Sequence, residues 1–165
     1  MQTAIPKDPA TAQTTVDGKP ADPYQTKSPK KLVLIVDDDP DFLAIAEAHL
    51  DKQGFTVRHA SGGLRGVFLA THEVPDAILC DLRMPGIDGF VVADALRADP
   101  ATRHTAIFAC TGRRELEPRA AQPRSPFDGV LIKPLDWDEV ARRLANAIDA
   151  RQNEGLDRNP KSEHG

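Results

Sequence analysis

Residues 32–39 read LVLIVDDD, an apolar run of five residues that ends in three consecutive aspartates. A continuous apolar run of this length is typical of a strand buried on both faces of a parallel sheet. Asp39 and Pro40 then supply an N-cap and a proline at the first helical position. The helix that follows, up to Gly54, has an apolar face made of Phe42, Ile45, Ala46 and Leu50. The stretch therefore predicts a strand and a helix with acidic residues at their junction.

The same alternation of strand and helix is repeated along the chain. Short apolar runs predict further strands over Phe55–His59, Ala77–Cys80, Ala106–Cys110 and Val130–Ile132. Helices are predicted over Leu64–His72, over Gly89–Ala98 and, after the N-cap Asp136, along the stripe Trp137, Val140, Ala141, Leu144 and Ile148. This order predicts an α/β fold with a doubly wound, five-stranded parallel sheet. In such sheets ligands bind outside the carboxyl ends of the strands.

Composition divides the 165 residues into one domain and two tails. Residues 1–31 hold five of the 14 prolines and almost no large apolar side chain, which predicts a disordered N-terminal arm. Residues 151–165 are similarly polar and predict a disordered C-terminal tail. The domain between them, residues 32–150, carries 13 basic and 19 acidic side chains. Its acidity disfavours a nucleic-acid-binding surface.

Neither a membrane segment nor a secretory signal is expected. No uninterrupted apolar run exceeds five residues, whereas a membrane-spanning helix needs about 20. The first residues are polar, without the apolar stretch of a signal peptide. Cys80 and Cys110 lie in separate apolar stretches, so we expect buried free thiols rather than a disulfide or metal site. These features together predict a cytoplasmic protein.

Polar residues follow four of the five predicted strands directly. They are Asp37, Asp38 and Asp39, then Asp81, then Thr111 and Gly112, and finally Lys133 and Pro134. Each group taken singly has a plain explanation as a solvated helix terminus, a cap, a turn or a surface loop. If the sheet is parallel, however, all of them meet at one edge. Clustered carboxylates need a cation, which Lys133 and a bound Mg²⁺ would supply. A carboxylate so placed can attack phosphorus and form an aspartyl phosphate.

The nine residues from Asp81 to Gly89, DLRMPGIDG, reproduce the D-x-x-M-P-x-x-D-G pattern around the phosphoacceptor of a known family. With the residues at the other strand ends, the chain resembles the receiver domain of two-component response regulators over about residues 31–150. The resemblance implies a flavodoxin-like sheet of strand order 2-1-3-4-5. It also implies that Lys133 precedes a cis peptide bond.

The resemblance assigns a role to each site residue. Asp81 would accept a phosphoryl group from a histidine kinase or phosphotransfer protein. The implied Mg²⁺ ligands are Asp38, Asp81, Asp37 through a water, and the backbone carbonyl of Arg83. The implied phosphoryl contacts are Thr111, the Gly112 amide and Lys133. Phosphorylation would change the surface that a downstream protein partner binds.

The sequence departs from the family in its switch region. Val130 stands where the family usually has an aromatic residue, and Phe127 is at the wrong spacing to replace it. Three prolines between Arg113 and Pro126 predict that the fourth helix is short or absent. That segment also carries Arg113, Arg114, Arg119 and Arg124, either as a solvated loop or as a docking surface. Arg83 and Arg113 occupy family positions that tune dephosphorylation, and we expect slow loss of the phosphoryl group.

Two functions fit these features. The first is a stand-alone receiver domain that signals by altered protein binding, because only 15 residues follow residue 150. The second is a pseudo-receiver or scaffold that binds partners independently of phosphorylation. An aspartyl phosphatase is disfavoured, because the second residue after Asp81 is Arg83 rather than an aspartate. We expect no enzymatic activity beyond weak autophosphatase activity.

Overall fold

The computed structural model describes residues 29–112, 114 and 117–156. Of residues 154–156 it describes the backbone alone. Its five strands form one parallel sheet of order β2-β1-β3-β4-β5. The strands are β1 (Leu32–Val36), β2 (Thr56–Ala60), β3 (Ala77–Asp81), β4 (Ala106–Thr111) and β5 (Gly129–Ile132). The helices are α1 (Pro40–Lys52), α2 (Gly63–Glu73), α3 (Gly89–Ala98), α4 (Glu117–Ala120) and α5 (Trp137–Leu156). The predicted fold class and strand order are confirmed.

Both faces of the sheet are covered by apolar cores. Leu34 and Val36 of β1 contribute to the core beneath α2 and α3, while Val33 and Ile35 contribute to the core beneath α1 and α5. These four side chains are at most 2% exposed. Burial on both faces explains why β1 is a continuous apolar run rather than an alternating one.

The predicted helix starts are correct at α1 and α5. The Asp39 carboxylate accepts hydrogen bonds from the backbone N–H groups of Asp41 (3.0 Å) and Phe42 (3.3 Å), and Pro40 occupies the first helical position. Asp136 accepts from two N–H groups of α5 in the same way. Such caps satisfy donors that have no partner within the helix. They also fix the directions in which α1 and α5 leave the sheet edge.

The predicted buried face of α1 is partly wrong. Ile45 is 52% exposed, and Leu43 is buried instead, together with Ala46 and Leu50. The spacing i, i+3, i+7 of these three residues is as helical as the predicted one. The apolar pattern of α1 fits either buried face equally well, and packing on Val33 and Ile35 decides which of the two is buried.

The fourth helix is short, as predicted. α4 has four residues, with Pro118 among them and Pro123 and Pro126 after it. Proline lacks an N–H donor and clashes with the preceding turn, so a longer helix cannot form here. Arg113, which we expected to belong to this segment's basic cluster, lies outside the described residues.

The last helix extends beyond the predicted end of the domain at residue 150. α5 continues to Leu156, so the expectation of a disordered tail is wrong for residues 151–156. The extension has tertiary contacts: Arg151 forms an ion pair with Asp128, and the Gln152 amide donates to Asp76 (3.3 Å). The predicted arm over 1–28 and the tail over 157–165 lie outside the described residues. Within the described part, no helix is both long and apolar enough to cross a membrane.

Both cysteines are buried free thiols, as predicted. Burial raises the pKa of the Cys110 thiol to about 12, and it also raises the pKa of Cys80. Both thiols therefore stay protonated at neutral pH and act as small apolar side chains.

Candidate functional site

The acidic pair after β1 begins the site. Asp37 is 1% exposed, and its backbone N–H donates to the carbonyl of Ala60 (3.1 Å), which fixes it at the sheet edge. Its carboxylate accepts hydrogen bonds from the Asp39 N–H (2.9 Å) and from Lys133 Nζ (2.6 Å). Asp38 is exposed beside it. The site thus combines one fixed, buried carboxylate with one that is open to solvent.

Asp81 is the last residue of β3 and faces this pair. Its Oδ2 accepts a hydrogen bond from the Arg83 backbone N–H (3.0 Å), and its Oδ1 lies 3.6 Å from Lys133 Nζ. Burial, together with the charges of Asp37 and Asp38, raises the pKa of Asp81 to about 6, against the lowering effects of Lys133 and of the Arg83 N–H. The carboxylate is therefore held in a site that disfavours its charged form.

The residues present fit a divalent cation. Asp37, Asp38 and Asp81 each offer a carboxylate oxygen, and these oxygens all lie within 4.8 Å of one another. An all-oxygen set of few ligands suits Mg²⁺, which keeps several of its waters. A cation here would also offset the mutual repulsion that raises the pKa of Asp81. The structure brings together the three carboxylates that the sequence predicted.

Lys133 reaches the carboxylates from the end of β5. Its backbone N–H donates to the carbonyl of Thr111 (2.9 Å), and the Lys133–Pro134 bond is cis, as expected. Burial acts to lower the pKa of Lys133, but the hydrogen bond to Asp37 and the nearby negative charges outweigh it, and the net pKa is raised. The ammonium is therefore charged at neutral pH.

Thr111 and Gly112 complete the sheet edge. Thr111 ends β4 and is 1% exposed, and Gly112 follows it at the surface. A Cβ at Gly112 would meet no atom of the described residues within 4 Å. The predicted site residues of all four strand ends thus lie along one edge.

Two features of the site could not be found from the sequence. Gly89 packs so closely on β3 that a Cβ there would overlap the carbonyl oxygen of Asp81. The ring of Phe42 lies under Lys133, with 3.7 Å between its centroid and Nζ. The apolar pattern had placed Phe42 in the core, and nothing in its spacing indicated a contact with a lysine 91 positions away.

The switch region differs from the family pattern as the sequence indicated. Val130 is partly buried and packs on the core beneath α3. Phe127 is buried and contacts Phe90 edge to face, with 5.5 Å between ring centroids. The Arg119 guanidinium lies 3.8 Å from the centroid of Phe90. The aromatic residues near β5 are therefore anchored to α3 rather than standing at the site.

Comparison with known proteins places this geometry in a family. Residues 33–145 match the response regulator receiver domain. The transcriptional regulatory protein PrrA of Mycobacterium tuberculosis is 37% identical over 72% of this chain and 50% of its own length. Protein PilH of Pseudomonas aeruginosa is 34% identical over 70% of this chain and 95% of its own. The chain spans about half the length of the transcriptional regulators it matches.

A solved structure supports the same assignment. The receiver domain of the sensor histidine kinase PA1611 from Pseudomonas aeruginosa PAO1 has a TM-score of 0.67 and 29% identity, covering 73% of this chain and 98% of that one. That structure has a magnesium ion coordinated in the active-site cleft. Because the family match covers more than half of the residues, and the sheet order and acidic edge agree with it, this chain belongs to the response regulator receiver domain family, whose members are signalling phosphoacceptors rather than classical enzymes.

Proposed function

We propose that Asp81 accepts a phosphoryl group from the phosphohistidine of a histidine kinase or phosphotransfer protein. The supporting observation is the position of its carboxylate, which ends β3 beside two further carboxylates and 3.6 Å from the Lys133 ammonium. An Asp81 oxygen forms a bond to phosphorus while the bond from phosphorus to the donor imidazole breaks. The imidazole nitrogen keeps that electron pair. Positioning and charge neutralisation provide most of the catalysis in such transfers.

Asp37, Asp38 and Asp81 would hold Mg²⁺, with the backbone carbonyl of Arg83 as a further proposed ligand. The ion would neutralise negative charge on the incoming phosphoryl group. Side chains and backbone groups of the chain would bind the phosphoryl oxygens. Lys133 would pair with one phosphoryl oxygen, and Thr111 and the Gly112 amide would receive the others. The position of Thr111 supports this assignment, because it ends β4, the strand that pairs in parallel with β3 and therefore ends beside Asp81.

Intact mass tests the phosphoacceptor directly. The wild-type chain is incubated with a small-molecule phosphodonor and Mg²⁺, beside Asp81→Asn and the control Asp94→Asn, which changes an exposed carboxylate on α3. We expect one added phosphoryl group on the wild type and on the control, and none on Asp81→Asn. Omission of Mg²⁺ should abolish the gain. A phosphoryl group on Asp81→Asn would assign the site elsewhere.

We propose that the output is a changed protein-binding surface. Neither binding to nucleic acid nor to membranes is proposed, given the acidic domain. The segment after β4 is the candidate docking surface. Arg124 is exposed there, whereas Arg119 packs on Phe90. Arg124→Glu is therefore the cleaner test, and an unchanged affinity for every identified partner would eliminate the segment as a docking surface.

A scaffold that binds independently of phosphorylation is the second candidate. It is favoured by Val130 in place of the aromatic switch residue and by the four-residue α4. The two candidates differ in one measurement. The affinity of a purified partner for the phosphorylated chain and for Asp81→Asn should differ several-fold if phosphorylation drives output, and should be equal for a scaffold.

A further inference from the structure

Among the described residues, the Lys133 ammonium lies close to two carboxylates and to one group that is not an anion. Asp37 Oδ2 lies 2.6 Å from Nζ and Asp81 Oδ1 lies 3.6 Å from it. The third neighbour is the Phe42 ring, whose centroid is 3.7 Å from Nζ. A cation at this distance over a ring face is attracted by the quadrupole of the ring.

The Phe42 ring is itself held in place. Its residue lies in the first turn of α1, where the backbone N–H donates to the capping carboxylate of Asp39 (3.3 Å). The ring contacts Trp137 at the start of α5, with 6.0 Å between centroids. Trp137 in turn stacks on His49 at 5.3 Å with an interplanar angle of 7°. The ring is therefore held by the first turn of α1 and by its contact with Trp137 of α5.

The lysine needs such a support because its charge lies on a flexible stem of four carbons. The contact to Asp37 is 1.0 Å shorter than the contact to Asp81, so the ion pair with Asp37 draws the ammonium away from the nucleophile. A ring face on a third side offers an attraction that does not belong to either carboxylate. An aliphatic side chain would fill the same space without that attraction.

We propose that Phe42 is a positioning residue for phosphoryl transfer, whose ring face holds the Lys133 ammonium between Asp37 and Asp81. The inference rests on the proposed function, because Lys133 matters for transfer only if Asp81 is the acceptor. Phe42 would touch neither the donor nor the phosphoryl group and would act through Lys133 alone. The competing explanation is that the ring merely packs against Trp137.

Two substitutions separate these explanations. Phe42→Leu keeps apolar volume but removes the ring face, and Phe42→Tyr keeps the face. Phe68→Leu is the matched control, because Phe68 is 55% exposed on α2 and contacts His72 rather than Lys133. Phe42→Met serves in place of the leucine variant if the latter unfolds, since it also lacks a ring.

The first readout does not depend on phosphorylation. The side-chain protons of Lys133, assigned by NMR through a Lys133→Arg variant, should be displaced upfield by the ring current of Phe42 in the wild type. The displacement should persist in Phe42→Tyr and Phe68→Leu and vanish in Phe42→Leu. Unshifted Lys133 protons in the wild type would overturn the contact itself.

The second readout is the rate constant of phosphorylation by a small-molecule phosphodonor with Mg²⁺. We expect Phe42→Leu to be slower by about 2- to 5-fold, the change that one partly exposed cation–π contact supplies, and the tyrosine variant to keep the wild-type rate. Equal rates for wild type and Phe42→Leu, or equal losses for Leu and Tyr, would overturn positioning by the ring. Absence of any phosphorylation of the wild type would instead overturn the proposed function, while the NMR result would still decide the contact.

Discussion

Substitution of Gly89 by alanine tests how tightly α3 is seated against the strand that carries Asp81. A Cβ at Gly89 would overlap the Asp81 carbonyl oxygen and lie 3.0 Å from Leu82 Cα. These are backbone atoms, which cannot rotate away as a flexible side chain can. The start of α3 must therefore move by about 1 Å, and overpacking of this kind costs about 3 kcal/mol.

The expected net loss is smaller than the cost of the overlap. Alanine lowers the entropy of the unfolded chain, which returns up to about 1 kcal/mol. We therefore expect Gly89→Ala to lower the free energy of unfolding by about 2 kcal/mol and Tm by about 8 °C, measured by urea and thermal unfolding followed by circular dichroism. The displaced Asp81 backbone should also slow phosphorylation.

Gly112→Ala is the matched control for this prediction. A Cβ at Gly112 meets no atom within 4 Å in the described part of the chain, and the Gly112 backbone is not in the left-handed region. Its stability should equal that of the wild type or exceed it by about 0.5 kcal/mol. If Gly89→Ala is as stable as Gly112→Ala, the close contact between α3 and β3 does not require glycine at position 89.

Three further outcomes are expected. Lys133→Met should lower the free energy of unfolding in urea by about 3 kcal/mol, because it leaves the buried Asp37 carboxylate without its cation. The effect of Lys133→Met should be smaller when Asp37→Asn is also present. If the effects of the two substitutions simply add, Lys133 and Asp37 do not stabilise each other. The pKa of Asp81 in the folded chain is about 6 against an ordinary 3.8, so its negative charge destabilises the fold above pH 6 by a few kcal/mol. Asp81→Asn should therefore be more stable than the wild type at pH 8 and lose that advantage as the pH falls toward 4. A stability difference that does not change with pH would refute this. Phosphorylated wild type, followed by intact mass, should lose its phosphoryl group over minutes or longer. Arg83→Ala should lose it faster, because the long Arg83 side chain two residues after Asp81 is expected to restrict the access of water. A wild-type lifetime of seconds would contradict this expectation.

The sheet and its acidic edge could be predicted because local patterns carry them. The run before Asp37 has the composition of a strand buried on both faces, and parallel strands bring their carboxyl ends to one edge whatever the length of chain between them. The same logic placed Lys133 beside Asp37 across 96 positions, and the structure gives 2.6 Å between them. The short α4 followed equally locally, from prolines that remove donors.

The errors arose where a choice depended on packing between elements. The apolar residues of α1 fit two helical phases, and only contact with β1 buries Leu43 rather than Ile45. The end of α5 was misjudged because residues 151–154 are polar, and their helix is supported by partners elsewhere, such as Asp128 for Arg151. Sequence periodicity reports which side chains are apolar, but not which distant groups will satisfy a polar one.

The carboxylate cluster illustrates why such a site is stable only within its fold. Asp81 is held where burial and two neighbouring carboxylates disfavour its charge more than Lys133 favours it, so the edge is electrostatically unfavourable without a second cation. The two apolar cores and the caps of α1 and α5 supply the stability that offsets this cost. The same repulsion increases the benefit of a divalent cation, because the ion relieves it. Mg²⁺ should therefore raise the Tm of the wild type more than the Tm of Asp81→Asn, which lacks one of the three carboxylates. If Mg²⁺ raises both Tm values equally in a thermal titration, the ion does not bind through Asp81.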